Sequence, residues 1–350
     1  MKLIFSTLTF CFILISFKIK SQGCSDGGLC AVGALSITSF KFDVLPSEKH
    51  TLSKVEEQDL PLDLKALNIK RDSNLYYTKY LQSYFQLTSY YGLGQQATSI
   101  YTQQLEGNID ISNERLFVQL KVPYTFINGK LGSVNGLNDI TLSLSYIAFK
   151  KNKSSLSLSG GVKLPTGDGN THENGLPLPM VYQTSLGSTD ALMGAKYAYE
   201  NWDFTVGYQH SFNTSRNQYL KNSTISDSSI YNSYFQSNRM KRADDGLFRV
   251  TRSFHSKNIT TTAGLLFIYH MANDKITDAL GNRVDAVGSK GLTLNINLAG
   301  VIQLSENLDF IYITGIPVHG VDYGTDGLIR SFVFIAGIKF SIYKNKPLSE

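Results

Sequence analysis

Apolar and polar side chains alternate along most of this chain. In 139–150, Ile140, Leu142, Leu144 and Tyr146 alternate with Thr141, Ser143 and Ser145. In 154–165, Leu156, Leu158, Val162 and Leu164 alternate with Ser155, Ser157, Ser159 and Lys163. The same period runs from Trp202 to Phe212 and from Leu292 to Leu304. A period of two sustained this long predicts strands with one apolar and one polar face. Strands of soluble sandwiches usually run about five or six residues, whereas a tilted strand crossing a bilayer needs about 9–11. These segments match the second figure.

The connections sharpen the prediction. Short turns fall at Asn113-Glu114, 151–153, Glu200-Asn201, Ser256-Lys257 and Glu306-Asn307. Between them lie longer polar loops at about 128–138, 166–184, 214–242, 272–289 and 319–328. Strict alternation of short and long connections is the pattern of outer-membrane barrels, with tight periplasmic turns and long external loops. Unpaired backbone groups in hydrocarbon cost several kcal/mol each, so such a sheet must close on itself. Counting from both ends gives an all-β, transmembrane antiparallel β-barrel of about twelve strands over 80–343, an even number with both ends periplasmic. A further strand at 36–44 with a partner would raise the count to fourteen. The closing strand, 329–343, carries apolar residues at even positions, an inward Gly337 and a terminal aromatic, like the assembly signal of such barrels. A tail, 344–350, follows it.

The N-terminus does not alternate. Lys2 followed by the apolar run Leu3 to Phe17 is too short to span a membrane and reads as a secretory signal, 1–22. Losing Lys2, Lys18 and Lys20 lowers the net charge from +5 to +2, so no nucleic-acid partner is inferred. Cys24 and Cys30 then remain; in an exported chain they most simply form a disulfide. Lipidation at Cys24 stays open, although the aliphatic residue of a lipobox is missing. Residues 23–79 are charged and read as a short periplasmic N-terminal extension, with a plug inside the barrel as the alternative.

Composition agrees with a barrel: 17% charged residues, 20 Tyr, 20 Phe and one Trp, and 29 Gly against eight Pro. Tyr124, Phe126, Tyr146, Trp202, Tyr312 and Tyr343 fall near strand ends, where interfacial girdles sit. Lys121, Lys163, Lys196, Asp203, Asp309 and Lys339 fall on polar faces and are candidate lumen-lining groups. They either form a selectivity lining or pair with opposite charges across a filled interior.

Enzyme chemistry finds little support. His210 shares its face with Tyr208 and Phe212 while Ser211 points the other way, so the two cannot form a nucleophile–base pair. The oxygen-rich loop 165–173 lacks the spacing of an EF-hand. No metal site and no cofactor is implied, and no catalytic residue is assigned.

Several motifs occur in order: Tyr90 to Gly94, Val118 to Tyr124, Gly136 to Leu142, Gly161 to Gly167, Ser185 to Asp190, and Gly315 to Pro317. Together they resemble the outer-membrane family named for the meta-pathway of phenol degradation, itself similar to long-chain fatty-acid transporters. The resemblance covers roughly 85–343, and Pro165, Thr166 and Gly167 form its motif loop. It implies passive uptake of a small, often hydrophobic or aromatic, compound through a Gram-negative outer-membrane channel. The partners expected are outer-membrane lipid, the small-molecule solute and the barrel assembly machinery during biogenesis. The competing reading is a non-conducting structural or adhesion barrel acting through its loops.

Overall fold

The computed structural model describes residues 77–112, 115–151, 153–222, 224–327 and 333–347. The signal segment, the cysteine pair and the extension or plug through residue 76 lie outside the described residues. Among those described, no helix is long and apolar enough to cross a membrane.

The chain forms β1 (Tyr77–Leu93), β2 (Ser99–Asp110), β3 (Leu116–Gly129), β4 (Gly132–Leu137), β5 (Ile140–Lys151) and β6 (Ser154–Leu164). A small external hairpin follows, β7 (His172–Glu173) and β8 (Leu176–Pro177). Then come β9 (Asp190–Tyr199), β10 (Trp202–Ser211), β11 (Asp245–Ser256) and β12 (Ile259–His270). A second external hairpin, β13 (Lys275–Thr277) and β14 (Arg283–Asp285), precedes β15 (Gly291–Gln303), β16 (Leu308–His319) and β17 (Val333–Pro347). Each long strand pairs antiparallel with its neighbours, β17 returns to β1, and β2 joins β3, so the sheet has no free edge. Since β4 and β5 both pair with β3 and are halves of one descending strand, the barrel has twelve staves.

Alternation sets which face meets lipid. Phe85, Leu87, Leu105, Leu120, Leu142, Leu144, Leu158, Met193, Val206, Ile296, Phe334, Ile338 and Phe340 are all exposed on the outside, Leu105 to 56% and Met193 to 58%. A water-facing belt this large would be unstable; hydrocarbon is its proper solvent. Aromatic side chains border it. Tyr124 and Phe126 are exposed, with ring centroids 5.1 Å apart. At the other border Trp202 stacks on Phe204, and the Arg252 guanidinium lies 5.2 Å from the Trp202 ring. Tyr312 instead lies half-buried across Gly300.

Three boundaries differ from the sequence reading. The barrel begins at Tyr77 rather than 80 and ends at Pro347 rather than 343, with Tyr77 opposite Pro347. The four residues Lys344–Pro347 therefore belong to a strand, not to a tail. The expected loop at 128–138 is largely a hairpin, in which β3 turns at 130–131 into β4. These strand ends project beyond the hydrocarbon, where nothing requires an apolar face, and so they carry no alternation.

The β1–β17 seam depends on Gly337. A Cβ there would lie far inside contact distance of the Leu87 carbonyl and the Thr88 side chain. Gly337→Ala is expected to cost about 1–3 kcal/mol through overpacking and to slow closure. The rate of appearance of the heat-modifiable folded band in lipid vesicles measures this, and a wild-type rate would refute it.

Candidate functional site: a charged rung through the lumen

Lateral register brings most of the expected lumen charges onto one hydrogen-bonded row. Starting at the periplasmic side, Gln303 lies opposite Asp309, and Asp309 opposite Lys339. Lys339 is opposite Gln86, Gln86 opposite Glu106, and Glu106 opposite Lys121. Lys121 then faces Thr141, Thr141 faces Lys163, Lys163 faces Asp190 and Asp190 faces Ser211. Laterally paired residues share a face of the sheet, so every side chain on this row points inward. Barrel strands tilt against the barrel axis, so a row of neighbours climbs the wall. It rises from Asp309, near the start of β16, to Asp190, the first residue of β9 at the outer mouth.

Charges of opposite sign pair along the rung. Lys339 Nζ is 3.6 Å from Asp309 Oδ2 and 5.3 Å from the centroid of the Tyr84 ring. Lys121 Nζ is 3.7 Å from Glu106 Oε2, whose Oε1 accepts hydrogen bonds from Tyr84 Oη at 2.7 Å and Gln119 Nε2 at 2.8 Å. Lys163 Nζ lies 3.0 Å from Asp190 Oδ2 and 3.9 Å from Asp139 Oδ2. Asp190 also accepts from Gln209 Nε2 at 2.6 Å and from Ser188 Oγ at 2.8 Å. All seven charged groups are buried, Lys163 and Asp190 completely.

The rung thus gathers Lys121, Lys163, Asp309 and Lys339. Lys196 is buried on a neighbouring row with Ser157, Thr205 and Arg249. Asp203 is half-buried beside Ala198 and Thr251. Glu106 and Arg249 escaped the sequence reading, although alternation with Leu105 and Phe248 marks them in hindsight. Asp139 and Asp190 lay within quoted motifs without being assigned inward. As expected, Ser211 is buried inside while His210 lies on the outer face, its Nδ1 2.7 Å from Asp244 Oδ1.

The motif loop has a structural task. Thr166 Oγ1 donates to the Asn138 carbonyl at 2.7 Å and accepts from the Ile140 N–H at 3.1 Å, clasping the break between β4 and β5. Gly167 fits closely against the Leu137 carbonyl and Thr184. Thr166 and Gly167 of the motif loop thus brace the chain next to Asp139, which lies beside Lys163.

Above the rung, three external connections are tied to the barrel. Asp245, the first residue of β11, pairs with Arg242 Nη2 at 2.6 Å and with His270 Nδ1 at 2.6 Å. His270 Nε2 lies 2.8 Å from Asp274 Oδ1, which also accepts from the Ala243 N–H. Thr325 Oγ1 donates to Asp274 Oδ2. The connections 212–244, 271–290 and 320–327 therefore meet on one buried cluster. Burial works against the Arg242 charge, but Asp245, Asp326, Asp190 and Asp274 outweigh it and hold the guanidinium firmly protonated. Burial likewise raises the Asp274 carboxyl; His270, Thr325 and the Ala243 N–H overcome this and leave it below the ordinary 3.8.

A depressed carboxyl contributes stability above its unfolded pKa and loses it as pH falls through the folded value. The contribution of Asp274 to the clustered loops should therefore be fully present above pH 3.8 and be lost only in stronger acid. Near-ultraviolet circular dichroism of the loop tyrosines would report this, and a signal constant down to about pH 2 would contradict the linkage.

The connection 165–189 inserts into the lumen mouth. A 3-10 turn, Met180–Tyr182, is fully buried, with Tyr182 at 0% exposure. Val181 and Tyr182 belong to a core with Ile100 and Ile127 of the wall and Tyr219, Tyr231 and Tyr234 of the 212–244 connection. Tyr182 Oη accepts the Leu131 N–H at 3.0 Å and meets Tyr234 Oη at 3.2 Å. Beneath this lid a cavity of about 70 Å³ remains, lined in part by Tyr90, Thr125 and Thr184.

No protein-family model and no curated protein matches the chain. Solved structures do. The COG4313 outer membrane channel from Pseudomonas putida F1 superposes with a TM-score of 0.55 at 14% identity, over 77% of this chain and 99% of that one. The fold is that of an outer-membrane β-barrel. NanC porin (TM-score 0.45, 9% identity, 74% of this chain and 100% of that one) and KdgM porin (0.40, 9%, 74% and 99%) resemble it less closely.

Proposed function

We propose that this protein is an outer-membrane channel through which a small polar solute passes along the charged rung, under a lid of external loops. The rung carries the reading. Three ion pairs, spaced by Gln86 and Thr141 along a row that climbs to the outer mouth, would give a hydrated or charged solute successive partners of either sign. An apolar solute would gain nothing from displacing those pairs. The likeness in fold to the Pseudomonas channel supports the same conclusion, and the 1–22 signal would deliver the chain. The family resemblance implies a hydrophobic or aromatic solute; the lumen's chemistry favours a polar one.

One observation favours the competing structural reading: the lid is packed like a protein core, with Tyr182, Tyr219 and Tyr234 almost wholly buried. Single-channel recording of the full mature chain in a planar bilayer separates the two. Discrete steps, with ion selectivity altered by Lys339→Gln, support the channel. Silence from a barrel shown to be folded leaves the structural role.

A further inference from the structure

The external face carries a depression outside both the rung and the buried tyrosine core of the lid. Between the 212–244 connection and the β13–β14 hairpin lies an open depression of about 920 Å³. Arg216, Arg239 and Arg283 line it, together with Asp168, Asn170 and Gln218. Among the described residues, none of the three arginines has a carboxylate partner. The one acid present is already engaged: Asp168 Oδ1 accepts the Asn170 N–H at 2.9 Å and Oδ2 accepts the Thr171 hydroxyl at 3.2 Å. Asn170 Oδ1 accepts the Gln218 N–H at 3.0 Å, which leaves Asn170 its amide N–H groups to offer.

Two of the arginines, Arg239 and Arg283, are placed by the backbone. Arg283 Nη1 donates to the Arg239 carbonyl at 2.5 Å and to Thr277 Oγ1 at 3.1 Å. Arg239 itself has φ of 46°, and its N–H donates to the Asn217 carbonyl at 2.7 Å. A left-handed non-glycine residue is strained, and the surrounding structure must hold it in place. Guanidinium groups gathered around one concavity repel one another and focus a positive potential into it. An anion removes that cost, and the planar fork of Arg matches carboxylate and phosphate oxygens two at a time.

We propose that this vestibule binds a hydrophilic compound bearing more than one carboxylate or phosphate group. The volume falls within the range of small-molecule sites, about 300–1,000 Å³. The anion could belong to a soluble solute or to phosphates of a neighbouring outer-leaflet glycolipid. Binding here does not require that the barrel conduct, so it can be measured apart from transport.

The test is calorimetric titration of the full mature chain in neutral detergent with inorganic pyrophosphate, with maltose as the uncharged control. Saturable pyrophosphate binding is expected, weakened about tenfold or more in R216Q/R239Q and by added salt, with no heat from maltose. R216K/R239K should retain part of the affinity. Arg283 is left intact because it braces Arg239, and heat-modifiability confirms that each variant is folded. Absence of saturable binding, or equal affinity in a folded R216Q/R239Q, overturns the proposal. A second titration in vesicles containing lipopolysaccharide distinguishes the sources. Loss of pyrophosphate binding there assigns the site to glycolipid phosphates, and its persistence assigns it to a soluble anion.

Discussion

Lys163→Met is expected to destabilise the barrel by about 3–5 kcal/mol, the usual cost of stripping one partner from a buried ion pair. Lys163 is the cation between two carboxylates, 3.0 Å from Asp190 and 3.9 Å from Asp139, and all three are buried. Removing it leaves two like charges facing each other. Asp190→Asn is milder, since Lys163 keeps Asp139 and the new amide can still meet Gln209 and Ser188; about 1–3 kcal/mol is expected. The double variant K163M/D190N should recover much of the loss, giving a coupling energy well above the roughly 0.5 kcal/mol scatter of independent sites. Urea unfolding in lipid vesicles measures all three, read by the fluorescence of the sole tryptophan, Trp202, at the membrane border. An Asp190→Asn variant worse than Lys163→Met would refute the asymmetry, and with it the bridging geometry.

That asymmetry was not legible in the sequence, whereas the strand carrying Lys163 was. Alternation around Leu156, Leu158 and Leu164 announces a membrane strand because hydrocarbon demands an apolar residue at every second position. It also says that Lys163 points inward. It cannot say which side chain lies beside it. That depends on register, and register is set by turns and by closure between segments far apart, as where Gln86 meets Lys339. Alternation also fails where the inside is apolar. Leu247, Ile313 and Ile335 face inward and are buried, in small apolar clusters with Leu266, Ile268 and Val333. The buried tyrosines of the lid had no local signal at all. Tyr182 and Tyr219 sit in stretches that read as polar loop, and only their meeting across the mouth makes them a core.

The lid makes the second large prediction. On the proposed channel reading, Tyr182→Ala should shift the barrel from mostly closed toward open. Replacing a buried aromatic by alanine costs about 3–5 kcal/mol, and here that cost falls on the closed arrangement alone, because Tyr182 packs between wall and loop. A shift of about 3 kcal/mol changes the closed-to-open ratio roughly 100-fold. Tyr182→Phe keeps the ring and its packing against Ile127 and Tyr234 but loses the bonds to the Leu131 N–H and Tyr234 Oη. It should move the ratio by only about tenfold or less. Open probability in planar bilayers should therefore rise from wild type through Tyr182→Phe to Tyr182→Ala. Protease sensitivity of the 165–189 connection should follow the same order, since a displaced lid exposes its backbone. If the connection becomes cleavable in Tyr182→Ala while conductance stays absent, the lid has been released and the lumen below it is itself closed. In that case the rung holds the barrel together and carries no solute.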